Sequence, residues 1–205
     1  MGVIFYAGNP GSKKDKALCL KEGYGAMVSS SGRIKAWYSE LKHLALDNGA
    51  YPAWVKGHVW SPYGFLNLLD QAAKLDNFDF AICPDIVAGG DRSLAFSEEW
   101  REKLHGISLY LAVQDGMSEA SVLSVLPGYK GLFVGGTMQW KLNSAPSWLK
   151  LARSLYKKCH VGRIGTIKNL AYCRHIGVDS VDSTTPVIDG QMHIVEDSKR
   201  VMMLI

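Results

Sequence analysis

The stretch "DFAICPDIVAGGDRSLAFSEEWREKLHGISLYLAVQDG" (79–116) sets an apolar run, a helix-spaced run and a second apolar run in succession. The apolar runs, "DFAICPD" (79–85) and "SLYLAVQDG" (108–116), are nearly continuous rather than alternating. That is the pattern of strands buried on both faces of a parallel sheet. Between them, "DRSLAFSEEWREKL" carries helical spacing, so the stretch reads as strand, crossover helix, strand. The unit repeats in both directions. "VIFYAG" (3–8), "GAMVSS" (25–30) and "HLALDNG" (43–49) precede it, and "GLFVGGT" (131–137), "CHVGRIGT" (159–166) and "DSVDSTT" (179–185) follow. Helical spacing returns in "SPYGFLNLLDQAAKL", which opens on Ser-Pro, in "SEASVLSVL", in "APSWLKLARSLYKK", and in "TIKNLAYCRHIG", which stops on Gly177. "GRIKAWYSELK" reads as no more than a short helix, which makes the second repeat the weakest. Eight strand candidates predict an α/β fold, a compact (β/α)8 TIM-type barrel rather than an open doubly wound sheet. No linker or low-complexity tract interrupts the pattern, so residues 1–205 read as a single domain near the lower size limit of that fold.

The chain is 47% hydrophobic and 20% charged, a soluble globular balance. No apolar run is long enough to span a membrane, and "MGVIFYAGNPGSKK" lacks the basic start and cleavage site of a signal peptide. Tyr6 stands where a myristoylation signal takes Ser or Thr. The expected location is the cytoplasm, that of a host if a phage encodes the chain, with no membrane partner. Cys19, Cys83, Cys159 and Cys173 are scattered without a C-x-x-C pair, which predicts buried thiols, no metal site and no cofactor. A net charge of +4 is compatible with an anionic partner. "GSKKDK" places Lys13 and Lys14 after the first strand, and "WLKLARSLYKK" sets Lys150, Arg153, Lys157 and Lys158 along one predicted helix. Either cluster by itself reads equally well as a solvated face.

In this fold the active site forms at the carboxyl ends of the strands. Read in order, those ends deliver Asp47, Asp85, Gln114, the Gly135-Gly136 pair, Arg163 with Gly165, and Asp182. Taken singly, each is a cap or a turn; Asp47-Asn48-Gly49 is good turn chemistry. Six successive ends, each with a polar side chain or bare backbone, point to a shared pocket. Asp85 offers an acceptor and Gln114 an amide with donors and acceptors. Asp47 and Asp182 allow a nucleophile and a proton-transfer group, as glycosyl transfer requires. The glycines permit close approach of backbone N–H groups to a flat ligand. Tyr51 reads either as a stacking platform for it or as a core aromatic.

These segments resemble the tRNA-guanine transglycosylases and their DNA-modifying relatives, over most of the chain from about Leu44 to Thr185. "LALDNGAY" is similar to the family's D-S-G-[GA]-[YF] segment, "CPD" to its guanine-reading Asp, and "LAVQDG" to its [IV]-V-Q-G-G strand. "GLFVGG" is similar to G-Y-A-V-G-G, and "GRIGTIKNLAYCRHIGVDSVDSTT" to the stretch M-G-x-G-x-P…G-x-D-x-F-D-[CS]. Each motif is weak; their shared order makes the match fairly specific. The resemblance implies Asp182 as the nucleophile that attacks C1′ of the nucleotide sugar, with Asp179 the competing candidate. It implies Asp47 as acid/base for the departing and incoming bases, and Asp85 as acceptor from guanine N1–H and the 2-amino group. Gln114 and the Gly136 amide would donate to O6, beside Gly135, and Tyr51 would stack on the base.

Two departures refine the expectation. The family's tRNA enzymes are longer and carry a zinc site of three cysteines and a histidine, whereas only twenty residues follow Thr185 here, with His193 and no cysteine. The Met that covers the other face of the base is replaced by Gly162, followed by Arg163. The expectation is therefore the small zinc-free branch, which exchanges guanine in DNA for a 7-deazaguanine base such as preQ0. Lys13, Lys14, Lys141, Lys157, Lys158 and Arg163 are the candidate phosphate contacts. The alternatives are the same exchange on tRNA, a non-catalytic base-binding homologue, and an unrelated small-molecule barrel in which "HVGRIGT" forms half of a phosphate loop.

Overall fold

The computed structural model describes residues 2–30 and 32–201. Eight parallel strands close into a barrel in sequence order: β1 (Ile4–Gly8), β2 (Gly25–Val28), β3 (Leu44–Leu46), β4 (Phe78–Ile82), β5 (Leu109–Val113), β6 (Gly131–Val134), β7 (Lys158–Val161) and β8 (Ser180–Ser183). Ladders between β8 and β1 complete the ring, with Ile4 opposite Ser180 and Tyr6 opposite Asp182. The strands are three to five residues long and lie within the eight segments read from the sequence, or within one residue of them.

Helices α1 (Lys13–Glu22), α2 (Ala50–Val55), α3 (Pro62–Ala72), α4 (Asp91–Lys103), α5 (Glu119–Val125), α6 (Met138–Ser154), α7 (Ile167–Ile176), α8 (Thr185–Ile188) and α9 (His193–Val201) lie along the chain between and after the strands. The weak second repeat has only a 3-10 turn at Ala36–Glu40. Ser12 caps α1 with a reciprocal Asp15 contact, and Thr166 caps α7. Gly177 closes α7 in the left-handed conformation that a side chain resists.

One helix departs from the sequence reading. The expected start at Ala145-Pro146 gives way to a helix beginning at Met138, with Pro146 inside it. Lys150 and Arg153 do lie on α6, but Lys157 follows it and Lys158 opens β7. The four cations therefore do not share one helix. Pro146 suits a helix start but does not require one, and the additional turns before it bury Lys141.

The core has two compartments. The larger lies between barrel and helices, where Leu46, Leu111, Val134, Val161 and Val181 meet residues such as Phe65, Leu126, Trp148 and Leu170. The smaller is the barrel interior: Tyr6, Met27, Ala45, Phe80, Ile82, Tyr110 and Ala112, with Ile4 and Phe133 packed against them. Phe80 and Tyr110 stack with centroids 3.8 Å apart. Glycines on neighbouring strands make room for these rings. A Cβ on Gly25 would come within 2.6 Å of the Tyr6 ring, and one on Gly131 within 2.7 Å of the Tyr110 ring. Among the described residues, no helix is long and apolar enough to cross a membrane.

The end of α6 gives a prediction about stability. Tyr156 lies just past the helix at φ 56°, its N–H bonded to Arg153 O, while the Lys157 N–H bonds Ala152 O. This is a Schellman cap, whose left-handed position favours glycine. Tyr156 is 99% exposed, so little packing opposes its removal. Tyr156→Gly should stabilise the fold by about 1 kcal/mol, the left-handed penalty less glycine's chain entropy. Denaturant unfolding with an unchanged slope would measure it; a lower midpoint would contradict the reading.

Candidate active site

The strand ends converge as the sequence reading expected, around Asp47, Asp85, Gln114, Arg163 and Asp182. Asp47 follows β3, and its Oδ1 accepts the Gly49 N–H at 2.6 Å in a tight turn. Gly49 has φ 78°, and a Cβ there would come within 2.1 Å of Ser30 Oγ. Burial raises the Asp47 pKa to about 6; the Gly49 bond opposes the shift, and the charges of Asp182 and Asp85 add to it. Asp85 is likewise raised to about 6 by burial, opposed by its bond from Asn48.

Asn48, which the sequence reading did not single out, ties these two strand ends together. It is 3% exposed, and its Nδ2 donates to Cys83 O at 2.9 Å and to Asp85 Oδ1 at 2.7 Å. Its Oδ1 accepts the Ala50 N–H and its carbonyl accepts Trp60 Nε1, so each polar group of Asn48's side chain is used. The available signal was its place between Asp47 and a glycine turn, where the sequence suggested only local turn chemistry.

Gln114, directly after β5, plays a similar tying role. It is buried, its Oε1 accepts the Ala88 N–H at 2.6 Å, and its Nε2 donates to Ile86 O at 2.8 Å. Both bonds hold the loop after β4, and Ala88 sits there at φ 57°. The Gln114 amide therefore positions the Asp85 loop, leaving one of its two N–H groups outside those bonds.

Arg163 spans the mouth. Its backbone N–H donates to Asp182 Oδ1 at 3.1 Å, its Nη2 donates to Gly136 O at 2.8 Å, and its guanidinium lies 3.8 Å from the Tyr51 ring centroid. It holds φ 58°, a left-handed conformation costly for a residue with a side chain. Gly136 is also left-handed, at φ 76°, while the Gly135 N–H is committed to Val113 O. Tyr51 is therefore not a core aromatic. It is 40% exposed, with Arg163 on its ring and Trp54 beside it. Asp182 is 7% exposed, and its Oδ1 also accepts from Nε2 of His160, a second residue the sequence reading missed. Gly162, just past the end of β7, continues the face that His160 occupies, as Ser180 and Asp182 share one face of β8, and that period of two was the legible signal.

Four expected residues lie elsewhere. Asp179 precedes β8 at the amino end of the barrel, where it accepts from Lys158 Nζ and the Cys159 N–H. It cannot share a pocket with Asp47, which corrects its standing as a rival nucleophile. Lys158 is at that same end, and Lys157 bonds Pro127 O, so neither faces the mouth. Lys141 is fully buried, with Nζ on Gly162 O at 2.6 Å and its pKa lowered to about 8 by burial and then by Arg163. It buttresses the Gly162-Arg163 turn and is closed off from any phosphate. Lys13 and Lys14 open α1 directly after β1, on the mouth side.

Among the described residues, no group of three His, Cys, Asp or Glu side chains is placed to hold a metal ion, and the four cysteines are free and buried. No protein-family model matches this chain, and no curated protein matches it closely enough to count as a relative.

The raised carboxyls make a prediction that needs no substrate. Each is held above its ordinary value, so the folded state binds more protons than the unfolded chain between about pH 4 and 6. Stability should fall as pH rises through that window and stay low above it. Asp47→Asn and Asp85→Asn retain the acceptor oxygen that Gly49 and Asn48 use, so each should be more stable than wild type at pH 7, by about 1–3 kcal/mol. The difference should vanish below pH 4. Equal stability at both pH values would show that the charges are not buried.

Proposed function

We propose that the chain is a guanine transglycosylase that exchanges guanine in DNA for a 7-deazaguanine base such as preQ0, through a covalent aspartyl–glycosyl intermediate. The observation that carries this reading is the pair Asp47 and Asp182 at one mouth. Asp47 titrates near 6, where a carboxyl both gives and takes a proton near neutrality, while Asp182 is oriented by two donors on a single oxygen. In the first half-reaction Asp182 Oδ2 attacks C1′. The C1′–N9 bond breaks with its electron pair passing to the base, which takes the proton of neutral Asp47. In the second, Asp47 removes the proton of the incoming base, whose nitrogen attacks C1′ and releases Asp182. Both glycosidic bonds are of similar kind, so no ATP is needed and the strand is never cut. Asp85 accepts from the N1–H and 2-amino group, and the remaining Gln114 N–H lies beside its loop. Arg163 sits on the Tyr51 ring, so the two together form one wall of the base site rather than a slot between them.

A target base must leave the stack to reach such a mouth, at a cost of a few kcal/mol in a duplex. The rim offers compensating contacts. The loops after β1 and β2 form a cleft of about 330 Å³ lined by Asn9, Gly32, Arg33, Lys35 and Tyr38, and Lys13 and Lys14 open the helix that follows β1. These cations suit phosphates, which position a strand without reading sequence. Trp54 and Tyr63, exposed after β3, suit stacking on unpaired bases.

Exchange of labelled guanine into DNA and into tRNA, measured separately, tests the reading. Asp182→Asn should abolish exchange and the covalent adduct trapped by denaturation, with fold and strand binding retained. Asp85→Ala should weaken discrimination for guanine by about 1–3 kcal/mol, because the base's donors are left unpaired in a desolvated pocket. Exchange into tRNA alone would move the substrate to RNA. Absence of exchange and adduct with both would leave a base-binding module.

A further inference from the structure

His160 is the only histidine inside the barrel wall among the described residues, and it is 0% exposed. Its ring stacks on Phe133 at 5.2 Å and 15°, and meets Phe80 at 5.5 Å and Tyr6 at 5.9 Å. An apolar ring would fill this space without the cost of burying two polar nitrogens. Both nitrogens are instead satisfied by β8: Nδ1 lies 2.8 Å from Ser180 Oγ, and Nε2 lies 2.9 Å from Asp182 Oδ1. An ionised carboxylate only accepts, so these partners assign the proton to Nε2 and leave Nδ1 to accept the Ser180 hydroxyl.

We infer that His160, set by Ser180, is a positioning residue that divides the two oxygens of Asp182, holding Oδ1 and leaving Oδ2 to react. The inference rests on the transglycosylase reading for what Oδ2 attacks, but the division itself is a property of the chain. Asp182 Oδ1 receives two donors, His160 Nε2–H and the Arg163 N–H. Within the described residues, Oδ2 takes part in no hydrogen bond. When Oδ2 bonds C1′, Oδ1 becomes the carbonyl oxygen of the glycosyl ester and remains in front of the same donors. When the C1′–Oδ2 bond breaks again, its electron pair returns to the carboxylate and the charge spreads onto Oδ1. The two donors then stabilise the leaving group as its charge develops, as preorganised dipoles do. His160 keeps its proton throughout. Ser180 fixes the tautomer, as outer partners of reactive histidines do.

This predicts a split between steps. His160→Phe preserves size and aromatic packing but removes the donor. It should lower kcat by about 100-fold and the KM for the nucleic acid with it, since breakdown of the ester loses a donor that stabilises the departing carboxylate. The ester should break down more slowly, so denatured samples should hold more adduct per turnover. His160→Gln, which places an amide N–H near the Nε2 position, should restore most of the rate. A merely structural role would lower activity only as the folded fraction falls, and would not separate Gln from Phe. Nitrogen NMR of the wild-type imidazole supplies an arm that needs no turnover. It should report the Nε2–H tautomer, with the Nε2 resonance displaced in Asp182→Asn. An Nδ1–H tautomer, or wild-type turnover in His160→Phe, would overturn the inference. Absence of adduct and exchange in wild type, with the Nε2–H tautomer intact, would overturn the transglycosylase reading and leave the oriented carboxylate standing.

Discussion

Phe133 lies flat against His160, and it can do so only because a glycine, Gly162, directly follows β7. A Cβ on Gly162 would come within 2.3 Å of the Phe133 ring. A barrel of eight strands this short has little interior height, and its inner wall must still be filled. Here aromatic rings occupy one level: Tyr6, Phe80, Tyr110 and Phe133, with His160 among them. Glycines on adjacent strands supply the volume. With the lower level full, the next inward positions, Asp47, Gln114 and Asp182, are lifted to the mouth. The polar site is therefore the upper layer of the barrel's own packing, and it has an apolar floor.

That floor governs the electrostatics. Asp47 and Asp85 are pushed toward their neutral forms by burial, with the charges of Asp182 and Asp85 adding to the shift at Asp47, and Lys141 is pushed toward its neutral form by burial as well. Charges at this density cost stability in a single small domain, and the compensation is geometric. Buried amides and backbone groups cross-link the loops: Asn48 joins the ends of β3 and β4, Gln114 joins β5 to the loop after β4, and Lys141 holds the turn after β7. Arg163 closes the set by touching residues after β3 and β6 and one on β8. Two of these loops keep non-glycine residues, Ala88 and Arg163, at positive φ, with the N–H of each aimed at a mouth side chain. Backbone strain in both places is spent on holding a side chain of the site.

The opposite end of the barrel shows the contrast. There Asp179 pairs with Lys158, and Asp79 accepts from Tyr6 and meets His43, so acids at the amino ends of strands are matched by neighbouring polar groups. At the mouth, Asp47 and Asp182 keep an oxygen outside such pairing. The difference separates structural carboxylates from those available for chemistry.

Much of this was determined by the sequence alone. Eight near-continuous apolar runs spaced by helical segments point to a parallel sheet with both faces covered, because a strand buried on both faces loses its polar alternation. The polar residues ending those runs had to gather at one end, since the strands are parallel. Asp47, Asp85, Gln114, Arg163 and Asp182 were legible for that reason. What only the tertiary structure decided was the partnership of each group. Asp179 and Asp182 differ by three residues, but β8 has just four, so they fall at opposite ends of it. Lys141 reads as a surface cation until α6 starts at Met138 and turns it inward. Asn48 reads as a turn residue and His160 as an isolated histidine until strands distant in sequence bring them Asp85 and Asp182. Periodicity reports which face a residue occupies, whereas hydrogen bonds across a closed barrel depend on register and ring closure, which no local pattern encodes.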